Sequence, residues 1–244
     1  MNNFLEYLIK FLKSASETQD ENISRAADLV VESFTGNKHF FVFGSGHSHL
    51  TAEELYTRAG GLAFVKAILP PELMLHEMLN KSTLLEQLEG YAPALLELYR
   101  VGTGDTILII SNSGRNSVPV EMAIGARERG ARIIALTSLK HSGRVASRHS
   151  SGKRLFELAD VVLDNQGEYG DAAFYVEGCL IPTGATSDAV GIALAQALTV
   201  RIVEKLARRG VEAPLFRSSN ADGDAASHNA RLVETYSGVK VVGV

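Results

Sequence analysis

The pattern of apolar and polar positions changes near residue 36. Before it, apolar residues recur every three to four positions, which predicts amphipathic helices near 3 to 14 and 22 to 34. After it, short continuous apolar runs alternate with longer periodic segments. The apolar runs are HFFVF (39–43), LAFVKAIL (62–69), TILIIS (106–111), RIIALT (132–137) and VVLD (161–164).

These five runs predict a parallel β-sheet, because strands covered by helices on both faces read as continuous apolar stretches. The segments between and after the runs predict helices near 51–59, 83–99, 118–129, 153–159 and 187–208. We therefore predict an α/β fold: a doubly wound, five-stranded parallel sheet in the flavodoxin-like order 2-1-3-4-5. Helices would cover both faces, and a helical extension would precede the first strand.

The chain reads as one domain over residues 1–244, since no linker or repeat divides it. Its core would span about 30–210, with the N-terminal extension at 1–34 and a polar tail at 211–244. The apolar end of that tail, VKVVGV (239–244), suggests that the tail docks on the protein. The connection 165–186 is unusually long, and connections of such length are often functional.

Composition narrows the classes of partner and location. With 24 basic and 28 acidic residues the net charge is -4, so we expect neither nucleic acid nor an anionic membrane as a partner. No apolar run reaches the roughly 20 residues of a membrane span. Glu6 and Lys10 interrupt the apolar N-terminus, unlike a signal peptide. The single cysteine, Cys179, excludes an internal disulfide and fits a reducing compartment. We expect a cytoplasmic protein.

Two loops rich in serine and glycine follow the first and third strands: GSGHSH (44–49) and SNSGRNS (111–117). In the predicted strand order these strands are neighbours, so both loops would face one crevice at the carboxyl ends of the strands. Each loop leads into a helix, whose free N–H groups and dipole favour an anion.

We predict a phosphate site formed by these two loops. Its residues are Gly44, Ser45, Gly46, Ser48, Ser111, Asn112, Ser113, Gly114 and Asn116. The alternative is that Ser48, Thr51 and Ser117 only cap helices. Capping needs one such residue per helix, so the crowding of hydroxyls favours the phosphate site.

The ligand should be a small phosphorylated molecule, not a nucleotide cofactor. His49 stands where the dinucleotide fingerprint needs its third glycine, and strand two has no terminal acidic residue for a ribose. No phosphate-binding loop of the G-x-x-x-x-G-K-[ST] type is present either. We therefore expect no cofactor.

With these loops the sequence resembles the SIS (sugar isomerase) domain family over about residues 30–210, most closely a subgroup labelled phosphosugar or phosphoheptose isomerase. The resemblance rests on both loops, on ALT (135–137) and on GATSDAVGIALAQALTV (184–200). It implies a sugar phosphate as ligand and a homodimer or higher homo-oligomer. The ligand contacts it implies are Ser45, Ser48, Ser111, Ser113 and Asn116.

The chain departs from family enzymes at two positions. Phosphoheptose isomerases and N-acetylmuramic acid 6-phosphate etherases carry a catalytic glutamate where this chain has Arg58. The metal-binding histidine of the isomerases falls at Glu54. We therefore expect no metal, with His47 and His49 left as the minority alternative for ligands.

The segment LLEQLEGYA (84–92) resembles the catalytic EGAED segment of the etherases, which implies Glu89 as a general base. Gly90 supports a functional segment, because a glycine inside a helix costs about 1 kcal/mol. The alternative, a solvated helix face carrying Glu86 and Glu89, stays open. Glu54 is the second candidate for the base, and His228 in the tail is the third.

These residues predict an aldose-ketose isomerase of sugar phosphates that works by general acid/base proton transfer. An etherase-like lyase and a sensor that binds phosphosugars without turnover stay open as alternatives. The segment 140–154 contains five basic residues and no acid. We interpret this segment as a solvated loop. The alternative is a patch that attracts anionic substrates.

Overall fold

The computed structural model describes residues 3–220 and 223–237. Its main sheet has five parallel strands in the order β2-β1-β3-β4-β5. The strands are β1 (Phe40–Gly44), β2 (Val65–Ile68), β3 (Thr106–Ile110), β4 (Arg132–Thr137) and β5 (Val161–Asp164). The predicted fold class and strand order are confirmed.

Helices cover both faces of this sheet. In chain order they are α1 (Phe4–Thr18), α2 (Asp20–Thr35), α3 (Ser48–Glu54), α4 (Lys81–Leu85), α5 (Ala92–Leu98), α6 (Ser117–Glu128), α7 (Leu139–Ser142), α8 (Ser187–Arg208) and α9 (Ala225–Ser237). Among the described residues, none of these helices is both long and apolar enough to cross a membrane.

Strand side chains alternate between two apolar layers, as the pleat of a strand requires. Phe40 and Val42 pack into a layer with residues of α1, α2, α3 and α8. Phe41 and Phe43 pack into the opposite layer with residues of α5 and α6. The N-terminal helices are therefore part of the first layer and not an appendage.

The helix predicted at 83–99 is broken in the structure. Helix α4 ends at Leu85, and α5 begins only at Ala92, with Pro93 in its first turn. Between them Gly90 has a φ of 91°, and the Glu86 carbonyl leaves the helical pattern to accept from the Val118 N–H at 2.9 Å. This break determines which glutamate reaches the sheet edge.

Other segments also differ in extent or type from the sequence prediction. Helix α1 extends to Thr18, beyond the predicted end near 14, and β2 covers only Val65–Ile68 of the predicted 62–69. The helix predicted at 51–59 is α3, which starts and ends earlier. The helix predicted at 153–159 is a single 3-10 turn, Leu155–Glu157. The long connection 165–186 contains an antiparallel hairpin of β6 (Ala172–Phe174) and β7 (Thr183–Ala185).

The polar tail returns to the sheet layer. Leu215 forms an antiparallel bridge with Leu62, and the Phe216 N–H donates to the Gly61 carbonyl at 3.0 Å. Helix α9 follows this contact. The apolar VKVVGV segment, which we predicted to dock, lies outside the described residues.

Candidate functional site

A cavity of about 570 Å³ opens where β1, β3 and β4 end. Seven of the nine predicted phosphate-site residues line it: Ser45, Gly46, Ser48, Ser111, Asn112, Ser113 and Asn116. The other two, Gly44 and Gly114, are not among the lining residues. The structure therefore brings both serine-glycine loops to one crevice, while ligand binding by these residues stays a prediction.

The loop after β1 depends on the missing side chain of Gly44. A Cβ atom at Gly44 would collide with the main chain of Ser48 and His49 at the start of α3. Only glycine lets the strand turn this closely into the helix. The turn is fixed on its other side by the Gly46 N–H, which donates to the Leu73 carbonyl at 2.8 Å.

The loop after β3 is held by its own side chains, which leave one hydroxyl available. The Ser111 hydroxyl accepts from the Gly114 N–H at 3.2 Å, and the Asn112 side-chain carbonyl accepts from the Asn165 amide at 3.0 Å. Ser113 is half-buried and lines the cavity. Within the described chain its hydroxyl has no hydrogen-bond partner, so it can donate to a ligand.

The Glu86 carboxylate lies between the two loops and is the main chemical feature of the cavity. Ser45 Oγ donates to one carboxylate oxygen at 2.7 Å, and Asn116 Nδ2 donates to the other at 2.6 Å. Burial raises the pKa of Glu86, and it outweighs the two hydrogen bonds and the nearby positive charge of Arg148, which lower it. A carboxyl group with a raised pKa in a crevice is suited to proton transfer.

Glu89, the first candidate for the base, points away from the cavity. It is exposed, and its carboxylate accepts from the Ser150 N–H at 2.7 Å and from Ser150 Oγ at 2.8 Å. These hydrogen bonds lower the pKa of Glu89. Its position therefore does not support the predicted role, and Glu86, three residues earlier, occupies the place expected of the base.

The two reserve candidates also lie away from the cavity lining. Glu54 forms an ion pair with Arg58 and accepts from Gln196 Nε2 at 3.0 Å. His228 contacts the Leu215 carbonyl through Nε2 at 3.0 Å, within the C-terminal tail. Both groups are engaged in contacts that hold helices or the tail in place.

The two histidines considered as metal ligands have different surroundings. His47 lines the cavity, whereas His49 is buried and its Nδ1 contacts the Gly46 carbonyl. Among the described residues, the one group spaced to hold a metal is Glu89, Glu121 and His149, outside the cavity lining.

The cluster of Glu89, Glu121 and His149 is better explained by contacts between these side chains than by a metal site. The Ser151 N–H donates to His149 Nδ1 at 3.1 Å, so neutral His149 carries its proton on Nε2. This Nε2–H faces Glu89 at 3.9 Å and Glu121 at 3.7 Å. Ligation through Nε2 would require the proton to move to Nδ1, which already accepts from the Ser151 N–H.

Asp171, on the connection before α8, and Asp188, in the first turn of α8, also line the cavity, and the sequence interpretation missed both. Asp171 accepts from the N–H groups of Thr186 at 3.1 Å and Ser187 at 2.9 Å, so it caps α8. Asp188 is half-buried, and burial raises its pKa. The only sequence signal for Asp171 was the length of the connection 165–186.

The raised pKa of Glu86 has a consequence for stability. A folded state that binds this proton more tightly than the unfolded chain loses stability as pH rises from the unfolded glutamate pKa, about 4.3, through the raised folded pKa. We expect Glu86→Gln to abolish this loss in urea unfolding measured across that range. Glu89 acts in a different pH window, because its pKa is lowered and the stability it contributes is lost only as pH falls below about 4.3. Glu89→Gln should therefore leave the loss at higher pH nearly unchanged. An unchanged pH dependence in Glu86→Gln would contradict the assignment.

Comparison of the sequence with known families and proteins gives a consistent result. Residues 3–138 match the family model described as SIS domain. A UPF0309 protein of Halalkalibacterium halodurans is 53% identical over 234 residues, covering 96% of each chain. A UPF0309 protein of Caldanaerobacter subterraneus is 42% identical over 236 residues, again covering 96% of each.

Solved structures of similar fold include an isomerase, a complex with a sugar phosphate and a domain of a transcription factor. The phosphoheptose isomerase of Neisseria gonorrhoeae has a TM-score of 0.56 at 19% identity, covering 82% of this chain and 95% of that one. The Vibrio vulnificus NanR protein complexed with ManNAc-6P has a TM-score of 0.52 at 18% identity, covering 95% and 67%. The sugar isomerase domain of an RpiR transcription factor from Sphaerobacter thermophilus has a TM-score of 0.51 at 17% identity, covering 96% of each. At these identities the likeness establishes the fold.

Proposed function

Because the chain belongs to the SIS domain family, we propose that it binds a sugar phosphate between its two serine-glycine loops and isomerises it by proton transfer through Glu86. The observation that carries this proposal is the Glu86 carboxylate, which both loops hold at the cavity. The loops would bind the phosphate and orient the sugar, and the carboxylate would perform the chemistry.

Phosphate binding is supported by donors that the fold leaves available. The Ser113 hydroxyl lines the cavity, and α6 begins directly after the second loop, so the positive end of its dipole favours an anion. The dipole supports the anion more than the N–H groups do, because the Val118 N–H is bonded to the Glu86 carbonyl and Pro119 has no N–H. Among structures of similar fold, the NanR protein is described as a complex with ManNAc-6P, a sugar phosphate.

Isomerisation of an open-chain aldose phosphate moves a hydrogen from C2 to C1, with the carbonyl moving from C1 to C2. In the proposed reaction the ionised Glu86 takes the C2 proton, which gives an enediolate with its charge on O1, and the proton of the O2 hydroxyl then passes to O1. Glu86 then returns the proton to C1. A pKa raised by burial makes the carboxylate a stronger base than an exposed glutamate, which favours the first step.

Two other functions share parts of this arrangement. An etherase-like lyase would begin with the same proton abstraction beside a carbonyl. A non-catalytic sensor would use the loops without turnover, and the likeness to the sugar isomerase domain of an RpiR transcription factor favours it over other binding functions. Hydrogen exchange at C2 separates both enzymes from a sensor.

We further propose that the chain acts in the cytoplasm as a homodimer or higher homo-oligomer without nucleic-acid partners. Large apolar side chains are exposed at the cavity mouth and on the β6–β7 connection, including Leu79, Leu180 and Ile181. Such surfaces are typical of contacts between subunits. A monomer in light scattering at micromolar concentration would contradict this.

A thermal-shift screen with sugar phosphates tests the binding proposal. A ligand at 100 times its dissociation constant stabilises the folded state by about 2.7 kcal/mol. At least one sugar phosphate should therefore raise the melting temperature clearly more than inorganic phosphate or the unphosphorylated sugar does. Absence of any stabilisation across aldose and ketose phosphates would contradict the proposal.

Ser113→Ala should weaken the sugar phosphate by about 1 to 3 kcal/mol, because one hydrogen bond to a charged group is lost. The melting temperature without ligand should stay nearly unchanged, since this hydroxyl has no partner within the described chain. Ser219→Ala is the matched control, because Ser219 is exposed and is not one of the residues that line the cavity. Equal affinities in the two variants would remove Ser113 from the site.

A further inference from the structure

The basic segment, residues 140–154, does more in the structure than a solvated loop. It crosses the loop after β3, where the Arg148 N–H donates to the Arg115 carbonyl at 2.8 Å. Directly after it, the Leu155 N–H donates to the Gly114 carbonyl at 2.8 Å. The C-terminal half of the basic segment and the residue after it are therefore bonded to the predicted phosphate loop.

The same segment also holds the chain that carries Glu86. Ser150 donates twice to the Glu89 carboxylate, three residues after Glu86. The neighbouring His149 side chain is only 10% exposed and lies between Glu89 and Glu121. Glu121 in turn accepts from the Gly90 N–H at 2.7 Å. These contacts fix the turn between α4 and α5 against the basic segment.

One contact of the basic segment reaches the carboxylate itself through Asn116. An asparagine amide can present its oxygen or its nitrogen to a neighbour, and the oxygen would repel a carboxylate. Arg148 Nη1 donates to Asn116 Oδ1 at 2.8 Å, which leaves Nδ2 to donate to Glu86 at 2.6 Å. The guanidinium has no acceptor atoms, so the opposite amide orientation would lose both hydrogen bonds.

We propose that Arg148 is a positioning residue: its guanidinium fixes the Asn116 amide so that the amide holds the Glu86 carboxylate for reaction. The inference rests on the proposed function, because that function gives the reaction that Glu86 performs. The effect of Arg148 on the Glu86 carboxylate can nevertheless be measured without turnover. Arg148 is itself exposed, so it acts from the rim of the site and not from within the cavity.

The electrostatic effect of removing Arg148 has a definite sign. Its positive charge lowers the pKa of Glu86 against the effect of burial, and the Asn116 hydrogen bond acts in the same direction. Loss of both should raise the pKa further. The other titratable groups that line the cavity, within the described chain, are His47, His141, Asp171 and Asp188, and they are unchanged by the substitution.

The test compares Arg148→Met, which removes the charge and the donors, with Arg148→Lys, which retains a charge and a donor. Titration of the Glu86 carboxyl carbon by NMR, assigned with Glu86→Gln, should show a higher midpoint in Arg148→Met. In steady-state kinetics kcat at neutral pH should fall roughly 10-fold to 100-fold with KM little changed, because the base is displaced and less ionised. The acidic limb of the pH profile of kcat should move to higher pH in Arg148→Met. Arg148→Lys should partly restore the titration midpoint, kcat and the pH profile.

Arg144→Met is the matched control, since Arg144 lies in the same segment, is exposed and has no side-chain partner among the described residues. It should leave the titration and the rate unchanged. An unmoved Glu86 midpoint in Arg148→Met would overturn the inference, as would an equal shift in Arg144→Met. If the Glu86 titration midpoint shifts in Arg148→Met but the unmodified protein turns over no sugar phosphate, the positioning role of Arg148 is supported and the proposed isomerase is overturned.

Discussion

Glu86→Gln should lower the turnover of a sugar phosphate by roughly 10² to 10⁴, the range typical of a lost general base. Affinity should stay within a few fold, because glutamine has nearly the same shape and can still accept from Ser45 or Asn116 through its amide oxygen. The measurement is steady-state kinetics on the sugar phosphate that the thermal-shift screen identifies, with affinity from calorimetry.

The matched control for this substitution is Glu89→Gln, three residues away in the same turn. Glu89 is exposed and bound to Ser150, so its loss should affect the rate far less than the loss of Glu86. The reverse ranking, with Glu89→Gln inactive and Glu86→Gln active, would return the base to the position predicted from sequence.

Gly44→Ala should abolish most sugar-phosphate binding and destabilise the protein. The added methyl group would collide with main-chain atoms of Ser48 and His49, and a backbone neighbour cannot move aside as a flexible side chain can. Overpacking of this kind costs about 1 to 3 kcal/mol. Because relief requires α3 to shift with its loop, we expect the affinity to fall more than roughly 10-fold, about 1.4 kcal/mol.

Gly102→Ala provides the comparison for Gly44→Ala. A Cβ atom at Gly102 would meet only the Arg100 carbonyl oxygen, at 3.9 Å, an ordinary contact distance. Melting temperature and affinity should therefore both stay close to those of the unmodified protein. Full sugar-phosphate affinity in Gly44→Ala would show that the loop after β1 has no part in binding.

The sheet could be predicted because its strands are buried on both faces and so read as uninterrupted apolar runs. The strands at 132–137 and 161–164 and the helix at 187–208 begin and end where the sequence placed them. The loops could be placed in one crevice because the order 2-1-3-4-5 makes β1 and β3 neighbours. Topology alone thus brought Ser45 and Asn116 to the same edge.

The catalytic candidate could not be predicted because it depends on where a helix breaks. On an unbroken helix at 83–99, Glu86 and Glu89 would share one face, and nothing local distinguishes them. The structure ends α4 at Leu85, so the two carboxylates point to different surroundings. Gly90 and Pro93 are local signals of a break, which the prediction of one helix did not use. Which glutamate turns toward the sheet edge depends in addition on long-range contacts such as the Val118 N–H to the Glu86 carbonyl, which the local sequence pattern does not contain.

The contribution of distant segments was missed for the same reason. Asp171 and Arg148 come to the site from connections that carry no periodic signal. Their places follow only from the packing of the connection 165–186 and of the basic segment over the strand ends. The sequence marked the first as unusually long and the second as unusually basic, but not what either would contact.

The central claim is that Glu86 removes a proton from a sugar phosphate bound between the two loops. Exchange of the substrate's C2 hydrogen with deuterated water, followed by proton NMR, reports that step whether an isomer or an elimination product follows. The unmodified protein should exchange this hydrogen, and Glu86→Gln should exchange it at least roughly 10²-fold more slowly while still binding the ligand. Undiminished exchange in Glu86→Gln would contradict the claim. Tight binding without exchange in the unmodified protein would identify a sensor and not an enzyme.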